Sequence, residues 1–93
     1  LQDYKAAIVS FKNTLTDYPE TKFKEEILFS ILKANYSYAN NSISSKKLER
    51  FQNVIDAYAE LVDAYPQSKF AKDAETNNKN TLKEINKLKG IKS

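Results

Sequence analysis

Chemistry at neutral pH needs a titrating or nucleophilic group, and the sequence offers few. None of the 93 residues is Cys or His. Thiolate and imidazole are therefore missing together, and with them the common zinc, haem and iron–sulfur ligand sets. Ser–His and Cys–His nucleophile pairs fall for the same reason. A single Gly, Gly90, leaves no glycine-rich phosphate loop. The pair Glu25-Glu26 comes nearest to an acid/base couple, but adjacent helix residues diverge by about 100° and do not share a site. They are expected instead in the first turns of a helix, where the macrodipole favours anions. The expectation is a non-catalytic chain with no cofactor and no metal.

Charge points to partners only weakly. Fifteen basic residues oppose twelve acidic ones, for a net charge of +3. The excess sits in the C-terminal half, where Lys79, Lys83, Lys87, Lys89 and Lys92 face only Glu84. Lysines there suit the C-terminal end of a solvated helix, so nucleic-acid or lipid binding is not expected from them. The six Tyr and five Phe fall mainly at core spacing and do not form a stacking platform. The lone Arg50, just before the apolar Phe51, is placed for a salt bridge to a neighbouring helix or to a partner. No apolar run reaches the ~20 residues that span a bilayer, and no signal-like segment opens the chain at Leu1. Without Cys, the redox compartment cannot be read from disulfides.

The elements that must carry these residues are helices. Leu1, Tyr4, Ile8, Phe11, Leu15 and Tyr18 step by three and four until Pro19 forbids continuation. No capping signal precedes this stripe, so the chain reads as a single repeat domain over 1–93 cut from a longer protein. Thr21 is the expected cap of a second helix, whose apolar residues from Phe23 to Ala39 surround most of its circumference, as in a helix buried on several sides. Asn40 to Ser45 read as a loop. A third helix carries Leu48, Phe51, Ile55, Tyr58, Val62 and Tyr65 up to Pro66, and Ser68 caps a fourth. That last stripe, Phe70, Ala71, Ala74, Leu82, Ile85 and Leu88, is interrupted at 76–80, so its middle is expected to be weakly buried. Gly90 is the natural stop. The helices are expected at about 1–18, 22–40, 46–65 and 68–88, with Ile8, Phe11, Leu15, Leu28, Ile31, Ile55, Tyr58 and Val62 in the core.

The chain repeats itself. A shift of 47 residues aligns Pro19 with Pro66, Ile8 with Ile55, Tyr18 with Tyr65, Lys22 with Lys69 and Phe23 with Phe70. Helix pairs with a period of 20–50 residues are the mark of an α-solenoid. Ala7, Phe11 and Pro19 fit the second helix of a tetratricopeptide repeat, and Phe29, Leu32 and Tyr36 fit a first helix, with Lys33 in place of its Gly. The expected fold is all-α, an α-solenoid of elongated tetratricopeptide-like hairpins.

Asp-Tyr-Pro-Glu-Thr-Lys-Phe at 17–23 and Ala-Tyr-Pro-Gln-Ser-Lys-Phe at 64–70, together with Tyr4-Lys5-Ala6-Ala7, Glu25-Glu26, Asn35 to Ala39, Glu49-Arg50-Phe51 and Lys72 to Glu75, are spaced as in a known family. Over essentially its whole length the chain resembles the C-terminal repeats of the BamD family of outer-membrane assembly lipoproteins, in the version of Bacteroidetes-like bacteria. The resemblance implies a periplasmic scaffold at the inner face of the outer membrane, held by an N-terminal lipid anchor outside this sequence. It also implies docking of these repeats onto the periplasmic domains of the barrel-forming subunit, BamA, beside other assembly lipoproteins. Better-known members use a basic residue for that contact, at the position matching Ser10. Around it Lys5, Val9, Lys12 and Asn13 lie off the core stripe, and these five are the expected protein-binding residues; Val9 equally suits packing against a preceding helix. The competing reading is another periplasmic tetratricopeptide scaffold, such as one resembling the Tol–Pal coordinator.

Overall fold

Helix boundaries follow from local chemistry. Asp3 accepts the Ala6 N–H on its side chain at 3.0 Å, a capping bond that starts the first helix at Tyr4. In the computed structural model, which describes residues 3–90, the helices are α1 (Tyr4–Asp17), α2 (Lys24–Asn40), α3 (Ser44–Ala64) and α4 (Ala71–Leu88), with no strand among the described residues. The first helix thus has the cap that the sequence reading missed and starts three residues later than expected; Leu1 lies outside the described residues. Gly90 takes φ +72°, the left-handed conformation that closes α4.

Thr21 and Ser68 act one step earlier than expected. Thr21 Oγ1 accepts the Phe23 N–H at 3.2 Å and Ser68 Oγ accepts the Phe70 N–H at 3.1 Å, so each closes a tight turn just ahead of its helix. That shifts the starts of α2 and α4 to Lys24 and Ala71. The two turns match in backbone as well: Tyr18 at φ −131°, ψ 66° and Tyr65 at −137°, 77°; Phe23 at −96°, 13° and Phe70 at −97°, 3°. The 47-residue repeat is therefore a repeat of conformation. Between α2 and α3 only residues 41–43 remain as a link, shorter than the expected loop, which makes these two packed helices a hairpin.

The central element is α2, which packs against each of the other three helices, while no Cα of α1 comes within 8 Å of a Cα of α3. Extents of 41 × 30 × 18 Å describe a slab two helices thick. Its radius of gyration, 13.4 Å, exceeds the roughly 12.3 Å of a compact domain of this length, in keeping with helices laid side by side rather than closed into a bundle. The core is Leu28, Phe29, Ile31, Leu32 and Ala39 of α2, Phe51, Val54, Ala57 and Leu61 of α3, and Ala74 and Ile85 of α4. Phe70 stacks on Phe29 with ring centroids 4.4 Å apart.

Two stripes differ from expectation. On α3 the fully buried line is Phe51, Val54, Ala57 and Leu61; Ile55, Tyr58 and Val62 are half-buried and Leu48 is exposed. The sequence reading followed Ile55, Tyr58 and Val62, one residue out of register with the deepest face. On α4 the stretch 76–80 is weakly buried as expected, with Thr76, Lys79 and Asn80 exposed, but the stripe does not resume at Leu82. Stepping from Ala74 by three and four reaches the half-buried Asn77 and Asn78 and then Thr81, fully enclosed, while Leu82 lies about 100° away on the exposed side. Of the eight expected core residues, Ile8, Leu28 and Ile31 are buried and Phe11, Leu15, Ile55, Tyr58 and Val62 half-buried.

Candidate protein-binding groove

Because α1 and α3 both pack on α2 but not on each other, a groove runs between them with α2 as its floor. It measures about 260 Å³ and is lined by Lys5, Ile8, Val9 and Lys12 of α1, Asn35 and Tyr38 of α2, and Glu49, Arg50 and Asn53 of α3. Lys5, Val9 and Lys12 reach it together because steps of four and three keep them on one helix face. Val9 is 49% exposed. Ser10 and Asn13 lie on the adjoining side, where Lys5 and Val9 border a shallow concavity formed by α1 and its two ends, from Asp3 to Tyr18. The five expected residues are thus divided between two neighbouring surfaces that share Lys5 and Val9.

The floor and the far wall are more ordered than the near wall. Asn35 is 5% exposed and donates its side-chain N–H to the Ile31 carbonyl at 2.9 Å. Arg50 lies over the Tyr38 ring, its guanidinium carbon 4.1 Å from the centroid, and donates from Nη1 to Ser42 Oγ at 2.7 Å. Ser42 in turn donates to the Tyr38 carbonyl. The end of α2, the short link and the start of α3 therefore hold one guanidinium in place. The expected salt bridge of Arg50 to a neighbouring helix is not formed: among the described residues no carboxylate lies within 4.0 Å of it, nor of Lys5 or Lys12. In this section Glu49 is the one acidic lining residue, against three positive charges; farther along, beyond Lys12, Glu60 of α3 lines the continuation of the groove.

The other sequence features fall into structural roles. Glu25 and Glu26 stand in the first turn of α2, as expected, but they also reach across to the other copy of the repeated turn. Glu25 accepts from Ser68 Oγ at 2.6 Å and from the Lys69 backbone N–H at 3.0 Å, and Glu26 pairs with Lys69 Nζ at 3.4 Å. The Ser68 hydroxyl, ahead of the Lys69 N–H and charge, holds the Glu25 carboxyl below its ordinary range against the opposing effect of desolvation. Lys79 pairs with Glu75 and Lys87 with Glu84 along α4, in the i,i+4 and i,i+3 pairs of a solvated helix face. No group of three carboxylates that could hold a metal ion occurs among the described residues. Among the described residues no helix is long and apolar enough to cross a membrane.

Sequence reasoning did not place Asn35, Tyr38, Glu49 or Asn53 at this groove. A usable signal was present in the order Tyr38, Ser42, Arg50, one aromatic, one hydroxyl and one guanidinium bracketing a helix-breaking link. Comparison of the chain with protein-family models and with curated proteins gives no match.

Proposed function

We propose that this chain is a non-catalytic scaffold for protein partners, and that the α1 side of the groove is where a partner docks. The observation carrying this reading is the open, cation-lined groove between α1 and α3, into which Lys5, Val9 and Lys12 project. Repeat proteins use such surfaces, made by side-by-side helices, for binding. The repeated turn and the side-by-side helices also support an α-solenoid continuing the 47-residue period. With the motif resemblance, the reading extends to a periplasmic lipoprotein of the BamD kind, working at the inner face of the outer membrane and docking on the periplasmic domains of a BamA-like subunit.

The test is capture of those periplasmic domains by the intact protein, wild type against the Lys5→Glu, Lys12→Glu double variant, with helicity checked by circular dichroism. Both lysines are exposed and have no ion-pair partner among the described residues, so folding should be unchanged while capture falls. Undiminished capture by a well-folded double variant rejects this face.

A further inference from the structure

Arg50 is the one guanidinium of the chain, and it is tethered without being neutralised by any of the described residues. Stacking on Tyr38 and the bond to Ser42 fix its plane, and the residue is half-buried at the α3 wall of the groove. Burying part of a charge costs free energy unless an opposite charge or further hydrogen bonds compensate. Among the described residues no carboxylate does so, and Ser42 accounts for one of five N–H donors. Lys5 and Lys12 across the groove add to the positive potential that Glu49 only partly offsets. A guanidinium held in a fixed plane suits bidentate pairing with a planar carboxylate, since its fork matches the two oxygens and little side-chain entropy remains to be lost.

We infer that Arg50 is the anchor of a binding site for an acidic side chain, Glu or Asp, presented by a segment of a partner protein lying in the groove between α1 and α3. The small volume admits one side chain rather than a folded element. Asn53 offers an amide to the peptide backbone beside it, and the exposed Val9 offers apolar surface to the methylene stem. This rests on the scaffold reading above and adds the chemistry of the partner.

The test is an NMR titration of the folded protein with a short glutamate-rich peptide and its glutamine counterpart, following the Arg50 Nε–H resonance and the backbone amides of α1 and α3. The glutamate peptide should shift these signals saturably, with an affinity that falls as salt is added; the glutamine peptide should not. Arg50→Gln should weaken binding about tenfold or more, and Arg50→Lys should restore it only in part, because an ammonium lacks the fork. Ser42→Ala keeps the charge while releasing its tether, so an intermediate loss is expected even if Arg50→Gln is too unstable to use. Wild-type affinity in Arg50→Gln or Arg50→Lys, or equal binding of the glutamine peptide, overturns the anchor. Displacement of the peptide by inorganic phosphate at matched concentration overturns the assignment to a carboxylate. Binding abolished by the Lys5, Lys12 reversal but untouched by Arg50→Gln refutes the anchor and leaves the α1 docking face standing. Failure of the glutamate peptide to bind wild type refutes the acidic partner, and capture of the periplasmic domains then judges the scaffold reading separately.

Discussion

Leu61 and Val62 are adjacent on α3, and the structure assigns them different depths: Leu61 is 1% exposed within the core and Val62 is half-buried. Leu61→Ala removes three carbons, worth ~2.4 kcal/mol at ~0.8 kcal/mol per buried methylene. The void left in the core raises the cost to about 3–4 kcal/mol, inside the ~2–5 kcal/mol range for such truncations. Val62→Ala removes two carbons from a site that water already reaches, so about 1 kcal/mol or less is expected. A domain of this length holds roughly 5–14 kcal/mol in total, so both variants should remain folded and measurable. Urea denaturation followed by circular dichroism reads the difference directly. At ~1–3 kcal/mol per molar, Leu61→Ala should lower the midpoint by about 1–4 M, with the slope unchanged. An equal or larger loss for Val62→Ala would mean that α3 is turned by one residue from the arrangement described, and the depth argument would fail with it.

Glu25 has its folded-state pKa lowered by Ser68 and Lys69, so its contribution is complete above the ordinary carboxylate value of 4.5 and is lost as pH falls through the lower folded value. Thermal melts between about pH 3 and 7 should show wild type losing stability at the acid end, whereas Glu25→Gln starts lower at neutral pH and lacks that component; parallel profiles would contradict the clamp. Thr81 is fully enclosed with its Oγ1 making no bond to the protein, unlike Thr14, Thr16 and Thr76, which each bond a carbonyl four residues back. Thr81→Val keeps the shape and removes an unsatisfied hydroxyl, so chemical denaturation should show stabilisation of about 1 kcal/mol; a loss instead would mean that the hydroxyl has a partner in solution.

Legibility in the sequence was best where the signal is local. The two prolines and the three-four stepping located all four helices to within a few residues, because breakers and period act locally. The deepest face of α4 was harder to read because small residues make it, and that of α3 because apolar residues stand on both it and the adjoining face. Ala57 and Ala74 let neighbouring helices approach closely, and Thr81 reads as polar although it is more buried than Leu82. A hydropathy pattern weights Leu82 over Thr81, and so turns the α4 face toward its exposed neighbour. The groove was half legible: spacing on α1 brings Lys5, Val9 and Lys12 together, but Asn35, Tyr38 and Arg50 meet them only through the packing of three helices, which no local period encodes.

The repeat separates what the chain writes locally from what packing adds. Tyr18 and Phe23 share backbone angles with Tyr65 and Phe70 to within about ten degrees, yet their surroundings differ. Phe70 is covered by stacking on Phe29, whereas Phe23 is 54% exposed and Tyr18 67%. If tertiary contact shaped the turn, the uncovered copy would have relaxed away from the covered one. It has not, so the turn follows from the Tyr-Pro step, the hydroxyl two residues after Pro and the helix start behind it. The Phe then projects at a fixed angle whether or not another helix is there to receive it. Glu25 illustrates the other half of the division: its register partner on α4 is Lys72, which cannot accept the bonds that Glu25 takes from Ser68 and Lys69. The turns are interchangeable; the helices that clamp them are not, and the clamp is therefore specific to the pairing of α2 with the second turn.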